Sequence, residues 1–120
     1  MSHLVGLHLL VQGVLSRHIS RAEAMAFLLG LANLLGVQPI SGPHVFPNCA
    51  YLIIAESHLM LHWQVGDDGV GCWVDAFSCK EFDTVVADAW IKASLPFVAV
   101  TTSHVLTRSP HEAVLLGSAQ

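Results

Sequence analysis

The sequence predicts an α+β fold, in which two amphipathic helices cover one face of an antiparallel β-sheet to form a two-layer sandwich. Three observations predict it: short apolar segments bounded by glycine or proline, two segments with apolar residues at helical spacing, and a long segment in which apolar and polar residues alternate. The predicted order is β-α-β-β-(β)-α-β. Because 120 residues is the length of one domain, residues 1–120 are expected to form a single domain.

The composition limits the classes of partner. The chain is 53% hydrophobic and 12% charged, with five Lys and Arg residues and a net charge of −4. Without a basic cluster, nucleic acid is not an expected partner, and no run reaches the ~20 apolar residues of a membrane-spanning helix. The apolar excess predicts burial in a homodimer. Three cysteines without a CxxC motif, and a start without a basic signal region, predict a reducing, cytoplasmic location.

The first half of the chain predicts a strand, a helix and a loop. The strand covers His3–Val14. Ser20 and Glu23 form a capping box, in which each side chain can bond the backbone N–H of the other, and Gly36 supplies the C-terminal stop. The prolines of Gln38–Asn48 predict mostly loop. The apolar positions of the helix are Ala24, Phe27, Leu28, Leu31, Leu34 and Leu35.

The middle of the chain predicts a β-hairpin. "AYLIIA" (50–55) reads as a strand buried on both faces, and the residues from His58 onward alternate. Gly66–Gly69 is a turn, and Gly71–Cys79 is the returning strand. One face of the first hairpin strand carries Leu59, Leu61, Trp63 and Val65, and the other carries His58, Met60, His62 and Gln64; the returning strand places Trp73, Asp75, Phe77 and Cys79 on one side.

The last third predicts a helix and a strand. The helix begins at Glu81 and stops before Pro96, and the strand covers Phe97–Leu106. The tail after Arg108 is expected to be loose. The predicted apolar stripe of the helix is Phe82, Val85, Val86, Ala89, Trp90 and Ala93. With both helices on one face, the other face of the sheet is expected to meet a second copy of the chain.

Few residues outside the middle strand indicate chemistry. The eight histidines show no metal-ligand spacing; His58 and His62 share a strand face but lie ~13 Å apart, so no metal site is expected. A Ser57, His62, Asp75 hydrolase triad lacks a GxSxG elbow. Glu56-Ser57-His58 is different, because a strand this apolar has no structural need for three polar residues in a row.

Three segments, in order, resemble the prokaryotic S-adenosylmethionine decarboxylases, which are small pyruvoyl enzymes. They are "GLHLL" (6–10), "YLIIAESHLMLHW" (51–63) and "VDAFSC" (74–79). The resemblance extends over nearly all of residues 4–108. It implies a self-processing proenzyme of polyamine biosynthesis that works as a homodimer with its active sites at the interface.

The resemblance also implies roles for single residues. Self-cleavage between Glu56 and Ser57 would give a β chain of 1–56 and an α chain of 57–120, with a pyruvoyl group derived from Ser57 as the cofactor. That group would bind the substrate amine as a Schiff base and accept electrons during decarboxylation. His62 matches the histidine that supports processing. Cys79 matches the proton donor, and is expected where a strand ends and a helix dipole begins.

The chain departs from the family pattern after the processing strand, where "QVGDD" (64–68) replaces an acidic continuation. This departure affects the substrate pocket. S-adenosylmethionine, stacked on Phe46, Tyr51 or Trp63, is the first expected substrate. L-arginine or L-ornithine, paired with Asp75 or Asp67, is the alternative. A further alternative is a homologue that does not process itself and acts as a binding or regulatory subunit.

Overall fold

The protein has an α+β fold, seen in a computed structural model that describes residues 6–110 and 112–118. In those ranges two helices pack on a sheet of seven strands whose order is β2-β3-β4-β5-β1-β6-β7, and every neighbouring pair is antiparallel. The predicted fold class is confirmed. The elements are β1 (Gly6–Leu15), α1 (Arg21–Leu35), β2 (Pro39–Val45), β3 (Cys49–Ile54), β4 (Ser57–Gly66), β5 (Gly69–Ser78), α2 (Thr84–Ser94), β6 (Phe97–Arg108) and β7 (Ala113–Ser118).

One face of the sheet forms the core with the helices. Alternate residues of the central strands are buried there: Leu9, Val11, Leu59, Leu61, Trp63, Cys72, Val74 and Ala76. The predicted alternation of the hairpin is therefore confirmed up to Trp63, while Val65 is exposed. Since residues opposite each other in an antiparallel pair share a face, the pairing of His58 with Phe77 and of Met60 with Asp75 places these four on the uncovered side. We call that side the open face.

Helix α1 begins and ends as the sequence predicts. The Ser20 hydroxyl accepts from the Glu23 N–H at 3.1 Å, and the Glu23 carboxylate accepts from the Ser20 N–H at 3.0 Å. Hydrogen bonds from Arg17, then from Ser20, lower the pKa of Glu23 from 4.5 to about 2. Its favourable contribution is thus present above pH 4.5 and is lost as the pH falls toward 2. Gly36 ends the helix with φ of 69°.

Replacing Ser20 with alanine should lower the free energy of unfolding by about 1 kcal/mol, because the N–H of Glu23 loses its acceptor. Urea denaturation at neutral pH measures this change. The exposed Ser16, which lies outside the helix, provides the control substitution Ser16→Ala. Equal unfolding free energies for the two variants would contradict the capping role.

The segment predicted as mostly loop (38–48) contains the edge strand β2, so that prediction was wrong. Proline lacks an N–H and is tolerated where a strand has a neighbour on one side only. The pairing of β2 with β3 is accordingly irregular, with register shifts between Pro39 and Ser41 and between Ser41 and His44. The sequence signal for a loop was in fact the signal for a sheet edge.

The predicted apolar stripe of the second helix was wrong. Helix α2 begins at Thr84, and the carboxylate of the preceding residue, Asp83, accepts from the N–H groups of Val85 and Val86 at 3.1 Å each. Of the predicted stripe (Phe82, Val85, Val86, Ala89, Trp90 and Ala93), Phe82 and Trp90 are partly buried, and the other four are exposed.

The buried face of α2 contains a charged residue, which explains the error. Ala87, Asp88 and Ile91 are the buried positions. The Asp88 carboxylate accepts a hydrogen bond from the buried Ser103 hydroxyl and pairs with Lys92 at 2.6 Å. Because these partners satisfy the carboxylate, it can face the sheet. A pattern read from apolar residues alone places Asp88 in solvent.

The predictions for the strand at 50–55 and for the tail after Arg108 need correction. The first predicted strand lies partly outside the described residues. Only one face of β3 is buried, since Ala50, Leu52 and Ile54 pack inward while Ile53 is 38% exposed. The tail after Arg108 contains a further edge strand, β7, paired with β6. The first predicted strand is observed from Gly6; residues 3–5 lie outside the described residues.

Candidate active site

The Glu56–Ser57 peptide bond lies in the tight turn that joins β3 to β4. Ile54 pairs with Ser57, which leaves Ala55 and Glu56 as the turn residues. Gln38 fixes the turn: its N–H donates to the Glu56 carboxylate at 3.1 Å, and its carbonyl accepts from the Ala55 N–H at 2.9 Å.

Ser57 has a strained backbone. Its φ of 152° is the one positive φ at a non-glycine position among the described residues. Such a conformation costs of order 1–3 kcal/mol and persists only where the surrounding structure enforces it. The strain therefore lies at the bond at which cleavage is predicted.

The carbonyl of Glu56 accepts a hydrogen bond from the backbone N–H of Cys79 at 2.9 Å. Cys79 follows the last residue of β5, and Ser78 pairs with Ser57 across the two strands. The Ser78 hydroxyl in turn accepts from the Lys80 N–H at 2.9 Å, which orders this segment. The N–H of Cys79 is thus positioned to stabilise negative charge on the Glu56 oxygen.

Cys79 is an exposed residue with a free thiol, and its backbone contacts the carbonyl of the same bond. The expected helix dipole is absent from this position, because α2 begins five residues later, at Thr84. The prediction that Cys79 opens a helix was therefore wrong. Its proximity to Ser57 comes from strand pairing instead.

The hydroxyl of Ser57 contacts the imidazole of its neighbour, His58. Oγ and Nδ1 are 3.1 Å apart. Burial lowers the pKa of His58 below 6.5, and the electrostatic effect of His8 lowers it further. A neutral imidazole with its proton on Nε2 accepts a proton at Nδ1. The imidazole in contact with Ser57 within one chain is therefore that of His58.

His62 lies farther along the same strand. It follows Ser57 by five positions, and five positions of an extended strand span roughly 16 Å. It faces Cys49 on β3 and Trp73 on β5, and its Nε2 atom is buried without a hydrogen-bond partner among the described residues. Within one chain, His62 is therefore too far from Ser57 to exchange a proton with it.

A cleft of about 420 Å³ opens on the open face beside His62. Its lining includes Met60, Trp73 and Asp75. Trp73 is 42% exposed and its ring lies 5.3 Å from the His62 ring, so the exposed part of the indole can stack on a ligand. No feature of the sequence distinguishes Trp73 as a site residue from the other tryptophans.

The structure does not bring the four predicted substrate-binding residues together. Trp63 is 1% exposed, and its indole N–H donates to His18 at 3.1 Å on the helix side, so it is not available for stacking. Phe46 and Tyr51 stack on each other with ring centroids 6.1 Å apart. Asp75 lies apart from them on the open face.

Three residues that sequence reasoning missed as site residues surround His58. The Phe77 ring lies 5.7 Å from the His58 ring and 4.8 Å beneath the Arg108 guanidinium. His8 contacts Arg108 at 3.3 Å and Asp75 at 3.4 Å. We call His8, His58, Asp75, Phe77 and Arg108 the polar cluster. Its members come from four strands, and the signal that could have found them is the pairing register.

The next observations concern similarity to known proteins, metal-binding groups and membrane-spanning helices. A scan of protein-family models and a search of curated proteins found no match for the chain. In the part of the chain that the structure describes, no three His, Cys, Asp or Glu residues are grouped so as to hold a metal ion. No described helix has the length and hydropathy needed to cross a membrane.

Proposed function

We propose that the chain cleaves itself between Glu56 and Ser57 and so becomes a pyruvoyl-dependent decarboxylase. One observation carries the proposal: a single peptide bond combines a strained residue, a hydrogen-bond donor on its carbonyl and an imidazole on the adjacent hydroxyl. Each of these three features favours an intramolecular acyl shift. A solvated strand end needs none of them.

Cleavage would proceed through an ester and then through dehydroalanine. The Ser57 oxygen attacks the Glu56 carbonyl carbon, the C–N bond breaks, and an ester with a free Ser57 amine forms. Loss of the Ser57 α-proton then breaks the Cβ–O bond, which leaves Glu56 as a carboxylate and residue 57 as dehydroalanine. Addition of water and loss of ammonia convert dehydroalanine to pyruvoyl. No oxidant or reductant is needed.

The processed chain would use its own residues in turnover. The pyruvoyl ketone supplies an electron sink for the loss of CO₂ from a bound amine. Cys79 is exposed and would be the proton donor, and its backbone N–H would remain available to an oxygen in the site. The residues present fit this group, because Ser57 is only half-buried and pairs with Ser78, the residue before the exposed Cys79.

A homodimer would give His62 a partner. The open face exposes 38% of Ile53, 39% of Met60 and 42% of Trp73, and it contains Nε2 of His62, which has no hydrogen-bond partner in the part of the chain that the structure describes. Packing two open faces together would bury this apolar surface. It would also allow His62 of the partner subunit to approach Ser57, which His62 of the same chain cannot do.

The cleft supports two substrate classes. S-adenosylmethionine, the first choice, has a sulfonium cation and an adenine ring, which the exposed Trp73 face can bind. L-arginine or L-ornithine is the alternative that Asp75 favours, because a carboxylate in the cleft can pair with a cationic side chain. Asp75 already contacts His8 at 3.4 Å, which reduces its availability for a second cation.

Release of labelled CO₂ tests the proposal. S-adenosylmethionine, L-arginine and L-ornithine, each labelled in the carboxylate, are incubated side by side with the purified protein. We expect turnover of S-adenosylmethionine above that of the two amino acids, and a loss of roughly 5-fold to 150-fold for Trp73→Ala, by analogy with the ~1–3 kcal/mol of a stacking platform. Turnover of arginine or ornithine alone would reverse the choice, and no turnover by a cleaved chain would reject both.

A further inference from the structure

His58 has the position of a catalytic residue that the resemblance leaves without a role. We propose that His58 is the general base that removes the Ser57 hydroxyl proton in the first step of self-cleavage, and that Arg108 and His8 are positioning residues that keep it ready. This inference rests on the proposed self-cleavage. Its test measures the rate of self-cleavage and does not depend on decarboxylation.

Geometry gives the first argument. Nδ1 of His58 is 3.1 Å from Oγ of Ser57, within the range at which a base takes a proton. The His58 ring packs at 5.7 Å from the Phe77 ring, so its orientation is held by a neighbour on β5. On β3, the residue opposite His58 is the apolar Ile53, which offers the ring no competing hydrogen bond.

The protonation state gives the second argument. A base must be neutral before it accepts a proton, and burial lowers the pKa of His58 below 6.5. The groups that face it are His8 from β1 and Arg108 from β6, which both lower the pKa further, and Asp75 from β5, which opposes them. His58 is accordingly neutral at pH 7.

Arg108 and Asp75 approach the two ring nitrogens of His8. The Arg108 guanidinium only donates, so Nδ1 of His8, 3.3 Å away, accepts. Nε2 of His8 lies 3.4 Å from the Asp75 carboxylate, a contact at ion-pair distance and not a hydrogen bond among the described residues. This arrangement fixes the guanidinium over Phe77 and keeps a positive charge near His58.

In this step one proton moves from the Ser57 hydroxyl to His58 and then to the Ser57 nitrogen. The Ser57 hydroxyl gives its proton to Nδ1 of His58 as the oxygen bonds to the Glu56 carbonyl carbon. The N–H of Cys79 stabilises the oxyanion. When the C–N bond breaks, the imidazolium returns the proton to the departing Ser57 nitrogen, so that His58 ends the step neutral.

The rate of self-cleavage tests the role of His58. Wild type, His58→Gln and His44→Gln are made by cell-free synthesis, and translation is stopped. The uncut chains are then moved to buffers between about pH 5 and about pH 8, where intact mass follows their cleavage. We expect His58→Gln to cleave about 10²-fold or more slowly and His44→Gln, on the edge strand, to match wild type.

A structural role would not produce the expected pH dependence. Wild-type cleavage should slow as acid protonates His58, and the residual cleavage of His58→Gln should lack that limb. Arg108→Gln removes a positive charge, raises the pKa of His58 and should shift the limb to higher pH. Wild-type rates for His58→Gln, or an unshifted limb in Arg108→Gln, would overturn the inference. An uncut wild type would instead reject the proposed function.

Discussion

Replacing Ser57 with alanine is expected to leave the chain as one uncut 12.9 kDa polypeptide with no decarboxylase activity. The Ser57 oxygen is the nucleophile and residue 57 becomes the cofactor, so the substitution removes both. The fold should survive, because Ser57 is half-buried at the start of a strand and alanine retains its backbone pairing. Intact mass measures cleavage, and CO₂ release measures activity.

The matched control is Ser94→Ala, at the exposed end of α2, which should be cleaved and active like wild type. A Ser57→Ala chain that still breaks between residues 56 and 57 would contradict the mechanism. Such a break would point to hydrolysis by another agent. Circular dichroism of the uncut variant establishes that the loss is not due to unfolding.

Replacing Cys79 with alanine should separate the two functions of this residue. Alanine retains the backbone N–H that donates to the Glu56 carbonyl at 2.9 Å, so much of the self-cleavage should remain. The thiol is lost, so decarboxylation should fall by about 10²-fold or more, in line with removal of a general acid. Intact mass and CO₂ release, measured on the same preparation, give the two rates.

Two further variants sharpen this test. Cys79→Pro lacks the N–H and should slow cleavage strongly, whereas Cys79→Ala should not. Cys72→Ala removes a buried thiol from the core and should lower stability without changing the rate per folded molecule. Full turnover by Cys79→Ala would remove the thiol from the proposed mechanism.

Local patterns were sufficient where the determinants are local. The capping box of α1 and the alternation of β4 and β5 depend on neighbours within a few residues, and both are present as predicted. Helix α2 was misjudged because the partners of Asp88 include Ser103, a residue on another strand. Strand β2 was missed because prolines mark a sheet edge as readily as a loop.

The candidate site divides in the same way. Glu56, Ser57 and His58 stood out in the sequence because they are polar residues in an apolar strand. The hydrogen bond from Cys79 to the Glu56 carbonyl, and the convergence of His8 and Arg108 on His58, depend on strand register, which an isolated sequence does not supply. The extended geometry of β4 likewise separates His62 from Ser57.

The mass of the purified wild-type protein tests the central claim most directly. Self-processing predicts two fragments, 1–56 and 57–120, in equal amounts. The second fragment should be lighter by one ammonia than a chain beginning with serine, should resist N-terminal sequencing, and should gain mass when an amine is added with a reductant that traps it on the ketone. A single 12.9 kDa chain that persists after prolonged incubation, or a second fragment with a free serine amine, would contradict the account.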